Sequence, residues 1–214
     1  MRTLNLKEDL KYLYAPPGKA VDIVRVPRLQ FAMIDGAIEE GGEPGTSPGF
    51  AEAVQALYGV SYTLKFALKK RAVDPVDYPV MALEGLWSVS DGVFDIRIKD
   101  NLVYTLMILQ PEVVSPTLFD AAVTEVRRKR GDAAALTRLR LEWFEEGQCV
   151  QAMHVGPYAT EPVTVERMAA FARERGYQDL VGAGGKHHEI YLGDPRRAEP
   201  ARLKTVLRHP VRAV

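Results

Sequence analysis

Two imidazoles, a carboxyl and a phenol fall within the five residues His187-His188-Glu189-Ile190-Tyr191, inside the stretch Gly184 to Pro195. As a β-strand, this run places His187, Glu189 and Tyr191 on one face and His188, Ile190 and Leu192 on the other. A carboxylate in mid-strand needs compensation, because an unpaired buried charge is expensive. Tyr191 or a histidine, a cationic ligand, water in an open cavity, or a retained proton would each serve. The alternative is a strand at a sheet edge with Glu189 turned to solvent. Adjacent His187, His188 and Glu189 also raise metal binding. Neighbours on a strand point apart, however, and no third ligand follows at a useful spacing, so no metal and no cofactor is expected.

The elements that must position these groups are legible from period and punctuation. Val21 to Val26 alternates as a strand, Pro27-Arg28 interrupts it, and Leu29 to Ile38 resumes as a second strand. Gly41 to Gly49, with four glycines and two prolines, is a loop of the kind that covers pockets. Phe50, Val54, Leu57, Ser61, Leu64 and Leu68 then recur at helical spacing, after Ser47-Pro48 as N-cap and first-turn residues and before the basic end Lys69-Lys70-Arg71. Tyr78–Trp87 and Leu102–Leu109 read as neighbouring strands, Ser115–Lys129 as a helix, and Ala133–Leu139 as a short helical piece. Leu139–Glu145 and Cys149–Val155 read as two strands joined by a hairpin at Glu146-Gly147. Thr160–Arg175, closed by Gly176, is a third long helix. The strands His187–Leu192 and Leu203–Leu207 complete the chain.

This order is strand, strand, helix, strand, strand, twice over. The expected fold is therefore α+β, a tandem pseudo-two-fold repeat of β-β-α-β-β units with antiparallel sheet and a central ligand cleft. Residues 1–20 are an N-terminal arm and 21–214 one domain, with a first repeat over 21–110, a helical connector over 111–138 and a second repeat over 139–214. Glu84 follows Arg71 at the same distance as Glu189 follows Gly176, so the two glutamates are expected at matching positions of matching strands, facing one cleft. Trp87, Tyr104, Trp143, His154 and Tyr158 could line its walls, although ordinary core packing would also account for the tryptophans.

Lys plus Arg and Asp plus Glu both total 28, so the chain lacks the basic excess of a nucleic-acid groove, and no nucleic-acid partner is expected. A single cysteine, Cys149, excludes an internal disulfide framework and suits a reducing cytoplasm, where it reads as a buried structural thiol. No leader-like apolar run opens the chain and no segment approaches a membrane span, so a soluble cytoplasmic protein without a membrane partner is expected. Its oligomeric state is not legible.

The segments Ala82-Leu83-Glu84-Gly85-Leu86-Trp87, Gln151-Ala152-Met153-His154-Val155-Gly156-Pro157-Tyr158, His187 to Pro195 and Leu203 to Val211 resemble the GyrI-like small-molecule-binding family. The likeness runs from about Val21 onward, and its most specific part is His-His-Glu-Ile-Tyr-Leu. The resemblance implies the ligand domain shared with multidrug-sensing transcription regulators, in which a buried glutamate meets lipophilic cations among aromatic rings. Carried over by motif, Glu189 is the cation partner and Tyr191 a wall residue, with His187 beside them. About 20 residues precede the first strand, too few for a helix-turn-helix, so the chain is similar to stand-alone members, some of which hydrolyse cyclopropane rings of DNA-alkylating compounds. Trp87-Ser88 departs from a doubled tryptophan expected there. The resemblance thus implies a small-molecule ligand that is planar, lipophilic and cationic or electrophilic. Glu84 and Glu189 would then split acid and base roles in hydrolysis. A passive binder, or a module that modulates a partner such as a topoisomerase, is the alternative.

Overall fold

Two strands longer than their sequence pattern suggests carry the architecture in the computed structural model, which describes residues 1–18 and 20–214. In chain order the elements are β1 (Arg2–Thr3), α1 (Leu6–Asp9), α2 (Lys11–Tyr14), β2 (Val21–Ala37), α3 (Pro48–Lys69), β3 (Val76–Asp77), β4 (Leu83–Val89) and β5 (Leu102–Leu109). Then follow α4 (Pro116–Arg130), α5 (Ala134–Arg138), β6 (Arg140–Val155), α6 (Glu161–Glu174), β7 (Tyr177–Asp179), β8 (His187–Tyr191) and β9 (Lys204–Ala213).

Pro27 does not end a strand, and Glu146-Gly147 is not a hairpin turn. The β2–β6 ladder runs antiparallel through both points, pairing Val26 with Gly147 and Arg28 with Glu145. Each strand changes face there instead. Val24 and Val26 but then Leu29, Phe31 and Met33 pack into one core, as do Phe144 and then Cys149 and Met153 across from them. Gly147 takes φ +76°, which suits glycine, and Pro27 sits at the break, where a missing ladder donor is tolerated. Local turn signals were real, but the partner strand overrides their usual consequence.

The six long strands close into a barrel-like ring, in the order β6-β2-β5-β4-β8-β9, with β9 pairing back to β6. The set β2, α3, β4, β5 recurs as β6, α6, β8, β9. The two sets meet at the β4–β8 and β2–β6 ladders. This is the expected α+β antiparallel repeat, with one long strand where two were expected at the start of each half. Outside the ring, α3 buries Leu57, Val60, Leu64 and Leu68 with α4 residues Phe119 and Val126 against Ile34, Leu106 and Ile108. Ser47 and Ser115 cap these helices, accepting from the backbone N–H of Phe50 and Leu118 at 3.2 Å each. On the other half, Met168 and Ala172 of α6 cover Val150, Ala152 and Leu207.

Inside the ring, Leu13 and Tyr14 of the N-terminal arm join Phe31, Leu86, Met107 and Ile190. Cys149 lies there too, and burial pushes its thiol up, away from the reactive thiolate. Set among these apolar groups is a buried ionic network. Glu84 accepts from the Tyr14 hydroxyl at 2.6 Å and meets His188 Nε2 at 3.0 Å. Nδ1 of the same imidazole lies 3.0 Å from Glu146, which Arg208 also contacts at 3.4 Å. Arg208 further donates to Gln151 and to the Leu13 carbonyl. Burial alone would raise Glu146, yet His188 and Arg208 outweigh it and hold the carboxyl at about 2. Burial likewise works against a proton on His188, but Glu146 and Glu84 keep it up at about 8.

Tyr14→Phe removes one donor from Glu84 and should lower the unfolding free energy by about 1–3 kcal/mol, read from urea denaturation. Because the folded value of His188 lies above its ordinary 6.5, its contribution to stability is fully present below pH 6.5 and is lost as pH rises through about 8. The stability gap between the parent and His188→Gln should therefore narrow on going from about pH 6 to about pH 9 in the same experiment.

Candidate functional site

The β4–β8 ladder decides which side chains meet. It pairs Leu83 with Tyr191, Gly85 with Glu189 and Trp87 with His187, and these six residues share the outer face. Glu84, Leu86, His188 and Ile190 share the inner one. Glu84 and Glu189 therefore lie on opposite faces of the sheet and cannot work in one cleft. A two-fold axis between neighbouring antiparallel strands keeps faces, so Glu84 corresponds in the repeat to His188 or Ile190, never to Glu189. The equal distances from the preceding helices are one residue out of register, and one residue reverses the face.

On the outer face, Glu189 Oε1 lies 3.1 Å from His187 Nε2, and its side chain remains 14% exposed. The Tyr191 hydroxyl, beside Glu189, accepts from the Trp87 indole N–H at 2.9 Å. Gly85 makes room for this bond: a Cβ there would stand 2.8 Å from the indole nitrogen and 3.1 Å from the Tyr191 oxygen. Tyr158 meets Tyr191 edge-on at 6.1 Å. From the β4–β5 loop, Phe94 stacks on His187 at 5.5 Å, and Lys99 adds positive charge near the carboxylates.

A second carboxyl does reach this place, and it is Glu161, at the start of α6. Its carboxyl, that of Glu189 and a ring nitrogen of His187 bring three donor atoms within 4.8 Å of one another. Glu161 is buried, with Oε1 lacking a hydrogen-bond partner. Burial and the charge of Glu189 push it up to about 9, so it holds a proton at neutral pH. Burial would raise Glu189 as well, but His187 and Tyr191 outweigh that and lower it, leaving it ionised. The pair thus separates into an acid and a base. A divalent ion can also use three donors this close. With a proton on Glu161, one negative charge remains on the pair beside the His187 imidazole, and we assign no metal to it. Burial and Glu189 push the Tyr158 phenol up to about 12, and lift Tyr191 well above the ordinary range, so both phenols keep their protons as donors.

The other residues singled out in the sequence have different surroundings. Trp87 is stacked on Phe50 at 5.9 Å and packed edge-on with Tyr104 at 5.7 Å, so both rings are core beneath the site, and only the indole N–H reaches it. His154 is buried between the Thr164 hydroxyl at 2.9 Å and the Pro157 carbonyl at 3.2 Å, and burial lowers it toward the neutral form. Trp143, 39% exposed on β6 with the Arg28 guanidinium 5.4 Å above its ring, lies outside the cluster. Glu161 escaped the sequence reading because an acid in the first turn of a helix ordinarily needs no explanation beyond the helix dipole.

Two grooves lie elsewhere, one of about 430 Å³ between α3 and α4 and one of about 590 Å³ beside the N-terminal arm. Among the described residues, no helix is long and apolar enough to cross a membrane.

The GyrI-like small molecule binding domain matches residues 81–212. An uncharacterized conserved protein from Listeria innocua is 39% identical, over 98% of this chain and 100% of its own, with a TM-score of 0.86. Two hydrolases from the same organism are 37% and 38% identical, over 98% and 99% of this chain and all of theirs, with TM-scores of 0.82 and 0.84. The EcmrR C-terminal domain, 10% identical with a TM-score of 0.52 over 91% of this chain and 98% of its own, shares the fold alone. No curated protein matches. The ring of paired strands, the glutamate-bearing β8 and the match over more than half its length agree: the chain belongs to the GyrI-like small molecule binding domain family.

Proposed function

We propose that the outer face of β8, at Glu189, Tyr191, Tyr158 and Glu161, binds planar, lipophilic electrophiles and hydrolyses strained rings conjugated to a carbonyl, as in cyclopropane-containing alkylators. The observation that carries this reading is the approach of Glu161 and Glu189, whose donor atoms lie with that of His187 within 4.8 Å of one another in surroundings that raise the first carboxyl and lower the second. The description of the 37% and 38% identical Listeria proteins as hydrolases supports it.

Glu189 takes a proton from a water molecule as its oxygen attacks the strained carbon. The ring C–C bond breaks, and its electron pair moves through the conjugated system to the carbonyl oxygen. Glu161 delivers its proton to that oxygen, so the product has gained one water. The proton on Glu189 then crosses to Glu161, restoring both groups. Tyr158 and Tyr191 offer aromatic edges to a flat ligand, and the Tyr158 hydroxyl a donor to its carbonyl. The same ionised Glu189 would attract a lipophilic cation, so a positively charged leaving region on the substrate would strengthen binding.

Two experiments test this. In a carboxyl NMR titration, Glu161 should titrate near 9 in the parent and at lower pH in Glu189→Gln, where the repelling charge is gone. With a spirocyclopropyl enone as substrate and mass detection of the hydrated product, Glu161→Gln and Glu189→Gln should each lose roughly 100- to 10,000-fold in turnover. Glu84→Gln, altered inside the ring, should retain most of it. Parent turnover no faster than buffer would sink the hydrolytic reading, and continued binding of a planar cationic dye would then leave a passive binder.

A further inference from the structure

Behind Glu189 a line of hydrogen bonds leaves the cleft and ends at another carboxylate. His187 Nε2 faces Glu189 Oε1 at 3.1 Å, His187 Nδ1 faces His209 Nε2 at 2.7 Å, and His209 Nδ1 faces Asp179 Oδ2 at 2.6 Å. Asp179 is itself held, its Oδ1 accepting from the Val181 backbone N–H at 2.9 Å. Both imidazoles are buried, and Phe94 lies flat on His187, so neither ring is free to turn. The three residues come from β7, β8 and β9, whose pairing sets them side by side on the outer face.

Each contact in such a line needs one proton between its two atoms. With Glu189 ionised and burial holding His187 toward its neutral form, His187 carries its single proton on Nε2, and Nδ1 is a bare acceptor. His209 must then donate from Nε2. Its Nδ1 faces the Asp179 carboxylate, so it too carries a proton, and His209 is an imidazolium between Asp179 and His187. With His187 kept neutral and Asp179 ionised, the same three protons have one other arrangement. The Nε2 proton of His209 moves to His187 Nδ1, and the Nε2 proton of His187 moves to Glu189 Oε1. His209 becomes neutral, Glu189 becomes a carboxylic acid, Asp179 keeps its charge, and no proton enters or leaves.

We propose that Asp179 and His209 are positioning residues that act through His187 to decide which carboxyl of the Glu161–Glu189 pair carries the shared proton. The Asp179 carboxylate stabilises the imidazolium of His209, which selects the first arrangement and keeps Glu189 as base and Glu161 as acid. Without Asp179 the second arrangement gains: Glu189 takes the proton of the line, and Glu161, no longer beside a charged carboxylate, gives up its own proton to solvent at lower pH, so the two carboxyls exchange roles. The direction already seen at Asp179, which His209 lowers against its burial, agrees with a carboxylate facing a cation. The other ionisable groups facing Glu189 are Glu161 from α6, Tyr158 from the turn before it, Tyr191 on β8, His154 from β6 and Lys99 from the β4–β5 loop. None of them touches His209, so a change at Asp179 reaches Glu189 only through the two imidazoles.

This inference rests on the acid–base reading of the cleft, but it can be tested without a substrate. In carboxyl NMR titrations of the full chain, Asp179→Asn should move Glu189 to higher pH and Glu161 to lower pH, and Asp179→Glu should restore both. His209→Gln, which can still donate an N–H to His187 but carries no charge, should act in the same direction. With the strained enone, the acid limb of the kcat/KM profile should move to higher pH in Asp179→Asn, with kcat down roughly tenfold or more at neutral pH and KM little changed. Folding is followed by thermal unfolding, and the partly exposed Asp179 makes its variants the milder of the two. If Asp179→Asn and His209→Gln leave both carboxyl titrations where the parent has them, the relay is overturned. Absence of turnover in the parent would overturn the hydrolytic reading, while the titrations would still decide the relay.

Discussion

Charge compensation inside the ring is the constraint on which the rest of the structure depends. Glu84 and Glu146 lie in an apolar interior where an uncompensated ion carries a penalty of several kcal/mol, and His188 with Arg208 stands between them. His188 must therefore point inward. On a strand that single requirement fixes every neighbour, sending His187, Glu189 and Tyr191 outward. The cleft is arranged by a network it never touches. The N-terminal arm belongs to the same arrangement, since the Tyr14 hydroxyl and the Leu13 carbonyl complete the coordination of Glu84 and Arg208.

The two faces of β8 solve the problem of buried charge in different ways. Inside, opposite charges are buried and paired side chain to side chain, which gives specificity of register. Outside, two carboxyls share one proton, and their compensation is incomplete at the cleft by one negative charge. On the proposed reading such a site would still attract a cation or a polarised electrophile. Gly85 and the Trp87 indole hold Tyr191 beside it from beneath, while Phe94 and Lys99 approach from the β4–β5 loop above.

Much of this was legible in the sequence wherever local chemistry and tertiary structure agree. Ser47-Pro48 and Ser115-Pro116 announce α3 and α4 because capping is a local interaction. The alternation of His187 to Tyr191 shows which side chains share a face. Sequence reasoning failed where long-range pairing decides. Pro27 and Gly147 break the pattern of their own strands, and nothing nearby shows that the ladder between β2 and β6 continues past them. Spacing along the chain placed Glu84 with Glu189, although face depends on register, to which a count of residues from a helix end is blind by one. Asp179 and His209 sit 30 residues apart and become neighbours only through the pairing of β7 with β9.

The family resemblance named a glutamate that meets cations, and on the proposed reading the geometry around Glu189 would let one scaffold serve both binding and catalysis. A receptor for lipophilic cations needs one net negative charge under an aromatic wall, and an ionised glutamate alone provides it. A hydrolase needs that charge to act as a base and a second group, protonated at the same pH, to receive the electrons of the breaking bond. Adding Glu161 within reach of Glu189 supplies the acid without altering the net charge, because the neighbouring carboxylate itself keeps that proton in place. On the proposed reading the step from binder to catalyst would be electrostatically self-supporting, since the group that would attract the ligand also raises the acid beside it.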